Sequence, residues 1–225
     1  MRKILGIDIE TTGLDAKRHG IIQIGMFIDI DGKLEDTLLV NVQPFDDDYI
    51  FCEDCKSEDN EFPFEDISYI PTITIDSVAK PSNIKLIDIA NNHIPPKKAL
   101  QQIIAFLDKH ISKFDKTDKA YLMGFNIKFD MDFMGEWFRK LDFKYFGSYT
   151  NYRPLDAYYE ACSWAYIGGF NQLENLKLET LCKAYSIEIE AHNALSDILA
   201  TRELWYKLVG FHTVEEFRNG NTNPI

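Results

Sequence analysis

Asp8 and Glu10 stand two residues apart in the run Ile4-Leu5-Gly6-Ile7-Asp8-Ile9-Glu10, immediately before Thr11-Thr12-Gly13-Leu14. The run has the Ile, Leu and Gly content of a buried strand, interrupted on alternate residues by a carboxylate. Strand side chains repeat with a period of two, so both acids leave the same face. Like charges side by side on a buried sheet are costly unless a cation neutralises them. Carboxylate oxygens are hard ligands, and the simplest cation for them is a divalent metal. The first ten residues therefore predict a metal-dependent site.

Two later segments carry related chemistry. In the helical pattern that starts near Phe129, at about 100° per residue, Asp130 shares a face with Met134, Trp137 and Leu141, whereas Asp132 shares one with Glu136 and Arg139. Asp132 reads as a solvated surface acid. Asp130 points inward, either for function or because a backbone amide near the helix N-terminus satisfies it. In His192-Asn193-Ala194-Leu195-Ser196-Asp197 the histidine and the acid are five residues apart, about 140° on a helix, and cannot share a helical face. They converge if His192 lies in the loop before the helix and reaches back over its first turn. His19, His93, His110 and His212 have no comparable context.

The elements that must position these groups follow from periodicity and turn signals. Residues 3–10 read as a strand, Thr11 to Gly20 as a polar turn, and Ile21 to Ile30 as a second apolar strand. Asp31-Gly32 is a hairpin signal and Leu34 to Val42 the returning strand. Residues 43–94 carry Pro44, Pro63, Pro71 and Pro81 and are too long for a simple connection, so they read as an insertion. Pro95-Pro96 opens a helix to about His110, Ala120 to Phe125 is a strand, and Phe129 to Leu141 a helix. Helices are expected over 154–166, 174–185 and 194–209, with a short one over Val214 to Arg218. Strands first, then helices interleaved with strands, predict one α/β domain across residues 1–225, a mixed sheet flanked by helices, interrupted by the insertion at 43–94.

Read in order, Asp8-Ile9-Glu10-Thr11-Thr12-Gly13-Leu14, Asn126-Ile127-Lys128-Phe129-Asp130 and His192-Asn193-Ala194-Leu195-Ser196-Asp197 resemble the three exonuclease motifs of the DEDDh family. This is the DnaQ-like group of proofreading subunits, RNase T and oligoribonuclease. The histidine in the third motif separates the group from relatives with a tyrosine there. The resemblance implies a ribonuclease-H-like fold, a mixed five-stranded sheet flanked by helices. It implies that Asp8, Glu10, Asp130 and Asp197 hold two divalent cations, Mg²⁺ or Mn²⁺, with His192 as general base. It further implies that Thr11 and Leu14 position the terminal nucleotide, Leu14 as an apolar wedge, and that Asn126 and Phe129 shape the site wall. The implied activity is 3′→5′ exonuclease, hydrolysing single-stranded ends to nucleoside 5′-monophosphates. Two departures stand out. Phe125 occupies a place where relatives often have histidine, and residues 43–94 exceed the family's usual connection.

Charge bounds the partners. The net charge is −12, but residues 46–66 alone hold ten acids against Lys56, leaving a balance of −3 elsewhere. So little basic charge excludes tight non-specific duplex binding through many phosphates. It leaves open an enzyme that grips one or two phosphates through metal ions. The expected partner is the 3′ end of single-stranded DNA or RNA; a proofreading role would require a polymerase on another chain, and some relatives are homodimers. The alternatives are a non-catalytic nucleic-acid- or polymerase-binding module of the same fold and a dinucleotide-specific hydrolase. No apolar run reaches the roughly 18 residues of a membrane span, and the N-terminus leads straight into a strand, so a cytoplasmic protein with free thiols is expected. Cys52-Glu53-Asp54-Cys55 reads as a surface pair rather than half a zinc site, because no second ligand pair exists. The aromatic stretch Phe143, Tyr145, Phe146, Tyr149 and Tyr152 reads as a loop packing into the core, with a strand-binding surface as the alternative.

Overall fold

A computed structural model of the chain describes residues 2–45, 92–167, 170–190 and 192–210. Residues 46–91 of the insertion, with Cys52 and Cys55, and the expected helix over Val214 to Arg218 lie outside the described residues.

The chain opens with three strands in a meander: β1 (Lys3–Thr11), β2 (Ile21–Ile30) and β3 (Lys33–Asn41). Asp31 and Gly32 both take positive φ, 49° and 81°, as a tight hairpin with the strands' own twist requires. After helix α1 (Pro96–His110) come β4 (Ala120–Gly124), α2 (Ile127–Lys140), β5 (Leu155–Asp156), α3 (Ala157–Tyr166), α4 (Leu178–Ala184) and α5 (Ala194–Leu208). The sheet order is β3-β2-β1-β4-β5. β1 runs antiparallel to β2 and parallel to β4, which is in turn parallel to β5. The mixed five-stranded sheet expected from the sequence is therefore present, and its fifth strand is a two-residue piece at the start of the expected 154–166 helix.

The central strands β1, β2 and β4 face two cores. On one side Leu5, Ile7 and Ile9 of β1 and Ile24, Met26 and Ile28 of β2 pack with Ile103, Phe106 and Leu107 of α1 and Phe133, Met134 and Trp137 of α2. On the other side Ile4, Phe27 and Met123 pack with Ile198 and Leu195 of α5. A further cluster joins α3, α4 and α5 through Ala161, Leu181, Cys182, Ala200, Leu204 and Leu208. Period-two alternation thus sends Ile7 and Ile9 toward α1 and α2, and leaves Asp8 and Glu10 on the face covered by α5.

α5 is fastened to β2 at two points. Arg202 donates to the buried Asp29 carboxylate at 2.7 Å, and Tyr206 donates to the same oxygen at 3.1 Å. Breaking such a buried pair costs about 3–5 kcal/mol. Near the helix N-terminus the Ala194 amide donates to Gln23 Oε1 at 2.8 Å. The insertion leaves and returns at one place: Gln43 donates to the Ile94 carbonyl at 2.9 Å and Ile94 to the Asn41 carbonyl at 3.0 Å. No helix among the described residues is long and apolar enough to cross a membrane.

Candidate active site

Asp8 and Glu10 sit near the C-terminal end of β1, directly opposite Gly25 and Gln23 of β2. That β2 pair is the seat of α5. An ideal Cβ on Gly25 would fall 2.3 Å from the carbonyl carbon of Ala194, so the helix backbone rests on a position where a side chain would block it. Gln23, 6% exposed, accepts from the Ala194 amide and donates to Asn41 Oδ1 at 2.8 Å. Asn193 caps the helix, its Oδ1 accepting from Leu195 and Ser196 at 3.1 and 3.2 Å. With its backbone so placed, α5 delivers Asp197 from its first turn onto the β1 carboxylates. One carboxylate oxygen each from Asp8, Glu10 and Asp197 lies within 4.8 Å of the other two.

The electrostatics of this trio match a cation site. Burial pushes Glu10 up to about 7, helped by the charge of Asp197. Burial pushes Asp197 to about 7 as well, opposed by the His192 amide and reinforced by Glu179. Asp8 is raised well above the usual carboxylate range, first by burial and then by Asp130, Asp197 and Glu10. Asp197 Oδ1 is buried with no hydrogen-bond partner. Three converging carboxylates with one orphaned oxygen are a hard-oxygen donor set, and such a set fits a divalent cation.

Asp130 stands beside the trio rather than within it. It is 3% exposed, and its Oδ1 accepts from the Ile9 amide at 3.1 Å. It meets a backbone amide of β1, and its charge acts on Asp8. Asp132 pairs at the surface with Lys128 at 2.5 Å, as a solvated acid.

His192 lies in the loop before α5 at φ 67°, and its amide donates to Asp197 Oδ2 at 3.1 Å. The two residues thus meet through the His192 backbone, while the ring's Nε2 lies 3.8 Å from Glu179 Oε1. Thr11 is buried and its hydroxyl donates to the Gly13 carbonyl at 2.7 Å, closing the turn after β1. Leu14, on the same turn, is 50% exposed. His19 is buried beneath this turn, its ring occupying the space where a Cβ on Gly13 would stand, with Nδ1 3.1 Å from the Asp15 amide. Asn126 takes a left-handed conformation at the mouth of α2, and Phe129 packs on Phe133 at 4.8 Å. Phe125 meets Tyr158 edge-on at 5.5 Å and joins the α3–α4–α5 core.

Two groups that hold backbone at the site, Asp156 and Gln23, and one neighbouring acid, Glu179, have little or no signal in the sequence. Asp156 at the end of β5 accepts from the amides of Asn126, Ile127 and Tyr158 at 2.9, 3.1 and 2.9 Å. One buried carboxylate thereby fixes the start of α2 and caps α3, with charged hydrogen bonds worth about 1.5–3 kcal/mol each. An acid directly before an apolar helical run was the available signal. Gln23 shows only as a polar residue in an apolar strand, and Glu179 has no local signature.

The aromatic stretch divides. Phe146 and Tyr149 are buried and Phe143 packs against them, while Tyr145 and Tyr152 are 53% and 83% exposed.

Gln23→Leu removes the acceptor of Ala194 at nearly constant volume. Leaving that buried amide unpaired should cost about 1–3 kcal/mol, a drop in melting temperature of about 2–10 °C. Thermal melts with and without Mn²⁺ check this, and an unchanged melting temperature would remove Gln23 from the positioning of α5.

No protein-family model and no curated protein matches the chain. Solved structures do match. A structure of exonuclease I, described in terms of how processivity is achieved, aligns with a TM-score of 0.65 at 18% identity over 98% of this chain and 43% of that one. The exonuclease I of Methylocaldum szegediense aligns with a TM-score of 0.65 at 16% identity, covering 98% and 42%. The zinc-bound complex of E. coli exonuclease I with single-stranded DNA aligns with a TM-score of 0.65 at 18% identity, covering 99% and 42%. The chain spans less than half the length of these structures. At such identity the likeness is one of fold, and the chain has the ribonuclease-H-like fold of exonuclease I, a mixed five-stranded sheet flanked by helices.

Proposed function

We propose that this chain is a metal-dependent 3′→5′ exonuclease that hydrolyses single-stranded nucleic acid ends to nucleoside 5′-monophosphates. We read residues 1–225 as one exonuclease domain carrying the insertion. The observation that carries the reading is the convergence of Asp8, Glu10 and Asp197 beside His192, in a fold shared with exonuclease I. Single-stranded DNA, bound by the E. coli protein, is the first substrate to try.

Asp8, Glu10 and Asp197 would hold the divalent cations, Mg²⁺ or Mn²⁺, with Asp130 as the fourth acid. When bound, two such ions neutralise phosphate charge and stabilise both the attacking and the leaving oxygen. The rest falls to the chain. Half-exposed Leu14 offers an apolar surface to the last base, on a turn stiffened by the Thr11 hydroxyl and the buried His19. Asn126 and Phe129, at the head of α2, are assigned to the wall of the site. His192 takes a proton from water, whose oxygen bonds to the terminal phosphorus. The phosphorus–O3′ bond breaks, the O3′ of the penultimate residue is protonated, and the last residue leaves as a 5′-monophosphate.

The test uses 5′-labelled and 3′-labelled single-stranded DNA and RNA with Mg²⁺, Mn²⁺ or EDTA, beside Asp8→Ala and His192→Ala. The expected result is metal-dependent release of 5′-monophosphates from the 3′ end. Asp8→Ala should weaken metal binding itself, whereas His192→Ala should slow turnover with metal binding intact. Absence of cleavage of both polymers with both metals would overturn the reading in favour of a binding module or a dinucleotide-specific hydrolase.

A further inference from the structure

Glu179 lies in the first turn of α4, and its Oε1 is 3.8 Å from Nε2 of His192. Its backbone is held in place. Asn175 Oδ1 accepts from the Lys177 amide at 3.0 Å and from the Thr180 hydroxyl at 2.8 Å, closing the turn into α4. Leu181 and Cys182, on the same helix, are fully buried in the core shared with α5. His192 is held from the other side, at φ 67° with its amide on Asp197. Two fixed backbones thus bring one carboxylate to one imidazole, next to the acid trio.

We propose that Glu179 is a positioning residue that holds the His192 imidazole in one orientation and one tautomer. This rests on the exonuclease reading, in which His192 is the base. An ionised carboxylate only accepts hydrogen bonds, and a neutral imidazole has one N–H and one lone pair. Glu179 facing Nε2 therefore places the N–H there and leaves the lone pair on Nδ1 for the water proton. At 3.8 Å the approach is electrostatic rather than a hydrogen bond. Both side chains are part-exposed, 28% and 41%, so a torsional adjustment of about 1 Å is free to close it. The competing role for a carboxylate here is as a further metal ligand, and the two roles differ in what they couple to.

The experiment is a double-mutant cycle on the full chain: Glu179→Gln alone, His192→Ala alone, and both together. The readouts are kcat, KM and the Mn²⁺ concentration for half-maximal rate, on 3′-labelled single-stranded DNA. Glu179→Gln should lower kcat by about 10- to 100-fold, the usual effect of removing such a partner, with KM and the Mn²⁺ requirement nearly unchanged. In the His192→Ala background it should have no further effect. An equal loss in both backgrounds, or a shifted Mn²⁺ requirement, would overturn the proposal and assign Glu179 to the ions or the fold. Long-range ¹H–¹⁵N NMR of the imidazole gives a readout independent of cleavage: His192 should be the Nε2–H form in the parent chain and a mixture in Glu179→Gln. Should the parent chain show no cleavage that Asp8→Ala abolishes, the exonuclease reading fails. The NMR result then decides for or against the Glu179 proposal by itself.

Discussion

Asp8→Asn should raise the melting temperature of the metal-free chain at pH 8 by about 2–6 °C while lowering 3′-end cleavage by about a thousandfold, ~4 kcal/mol of transition-state stabilisation. Both effects have one cause. Burial and the charges of Asp130, Asp197 and Glu10 hold the Asp8 carboxyl well above its usual range, and Glu10 and Asp197 are raised to about 7. A carboxyl whose folded pKa exceeds its unfolded one contributes stability that is complete below the unfolded value, near 4. That contribution is lost as pH rises through the folded value, near 7 for Glu10 and Asp197. The metal-free chain should therefore lose stability from these groups between about pH 4 and pH 7–8, when the site carries repelling charges at close range. Asparagine removes one of them. It also removes a charged ligand, so Mn²⁺ at a hundred times its dissociation constant, worth about 2.7 kcal/mol to the parent chain, should stabilise the variant far less. Thermal melts of both chains from pH 5 to 8, in EDTA and in Mn²⁺, measure this directly. The difference between the two chains cancels the other acids they share. A variant that melts lower than the parent in EDTA at pH 8 would show that the Asp8 charge is already compensated in the folded chain.

Much of this site is local and could be read from the sequence. Alternation alone places Asp8 and Glu10 on one face, because Ile7 and Ile9 must go to the core. Residues five apart cannot share a helical face, so convergence of His192 with Asp197 required His192 in the loop before the helix, where it lies. What escaped the sequence is what depends on contacts between distant segments. β5 is two residues long and is defined only by its pairing with Met123 and Gly124, so it has no period to detect. α4 starts at Leu178 rather than 174 because Asn175 closes a turn that helical periodicity does not register. Gln23 acquires its meaning from Ala194, and Glu179 from His192; neither pair is near in sequence. The acids of the site were legible, and the groups that aim them were largely not.

Gly25→Val should be strongly damaging although it touches none of the acids. β2 is buried along nearly its whole length, and valine suits a strand better than glycine does, so local propensity favours the substitution. Packing decides the other way. The Cβ would stand 2.3 Å from the Ala194 carbonyl carbon, 2.4 Å from its oxygen and 2.5 Å from the Leu195 nitrogen. These are backbone atoms at the start of a helix, and no side-chain rotation relieves the clash. β2 cannot retreat, since Ile24 and Met26 on either side fill the opposite core. α5 must move, and with it the hydrogen bond from Ala194 to Gln23 and the carboxylate of Asp197. Overpacking of this kind costs about 1–3 kcal/mol or more, and a displacement of about 1 Å at a reacting site costs on the order of a hundredfold in rate. The expected result is a chain with a lower melting temperature and little or no stabilisation by Mn²⁺, although all four acids and His192 remain. Gly25→Ala should fall between parent and valine in both respects. If Gly25→Val kept the parent's Mn²⁺ response and cleavage rate, the close seating of α5 on β2 would not be what brings Asp197 to Asp8.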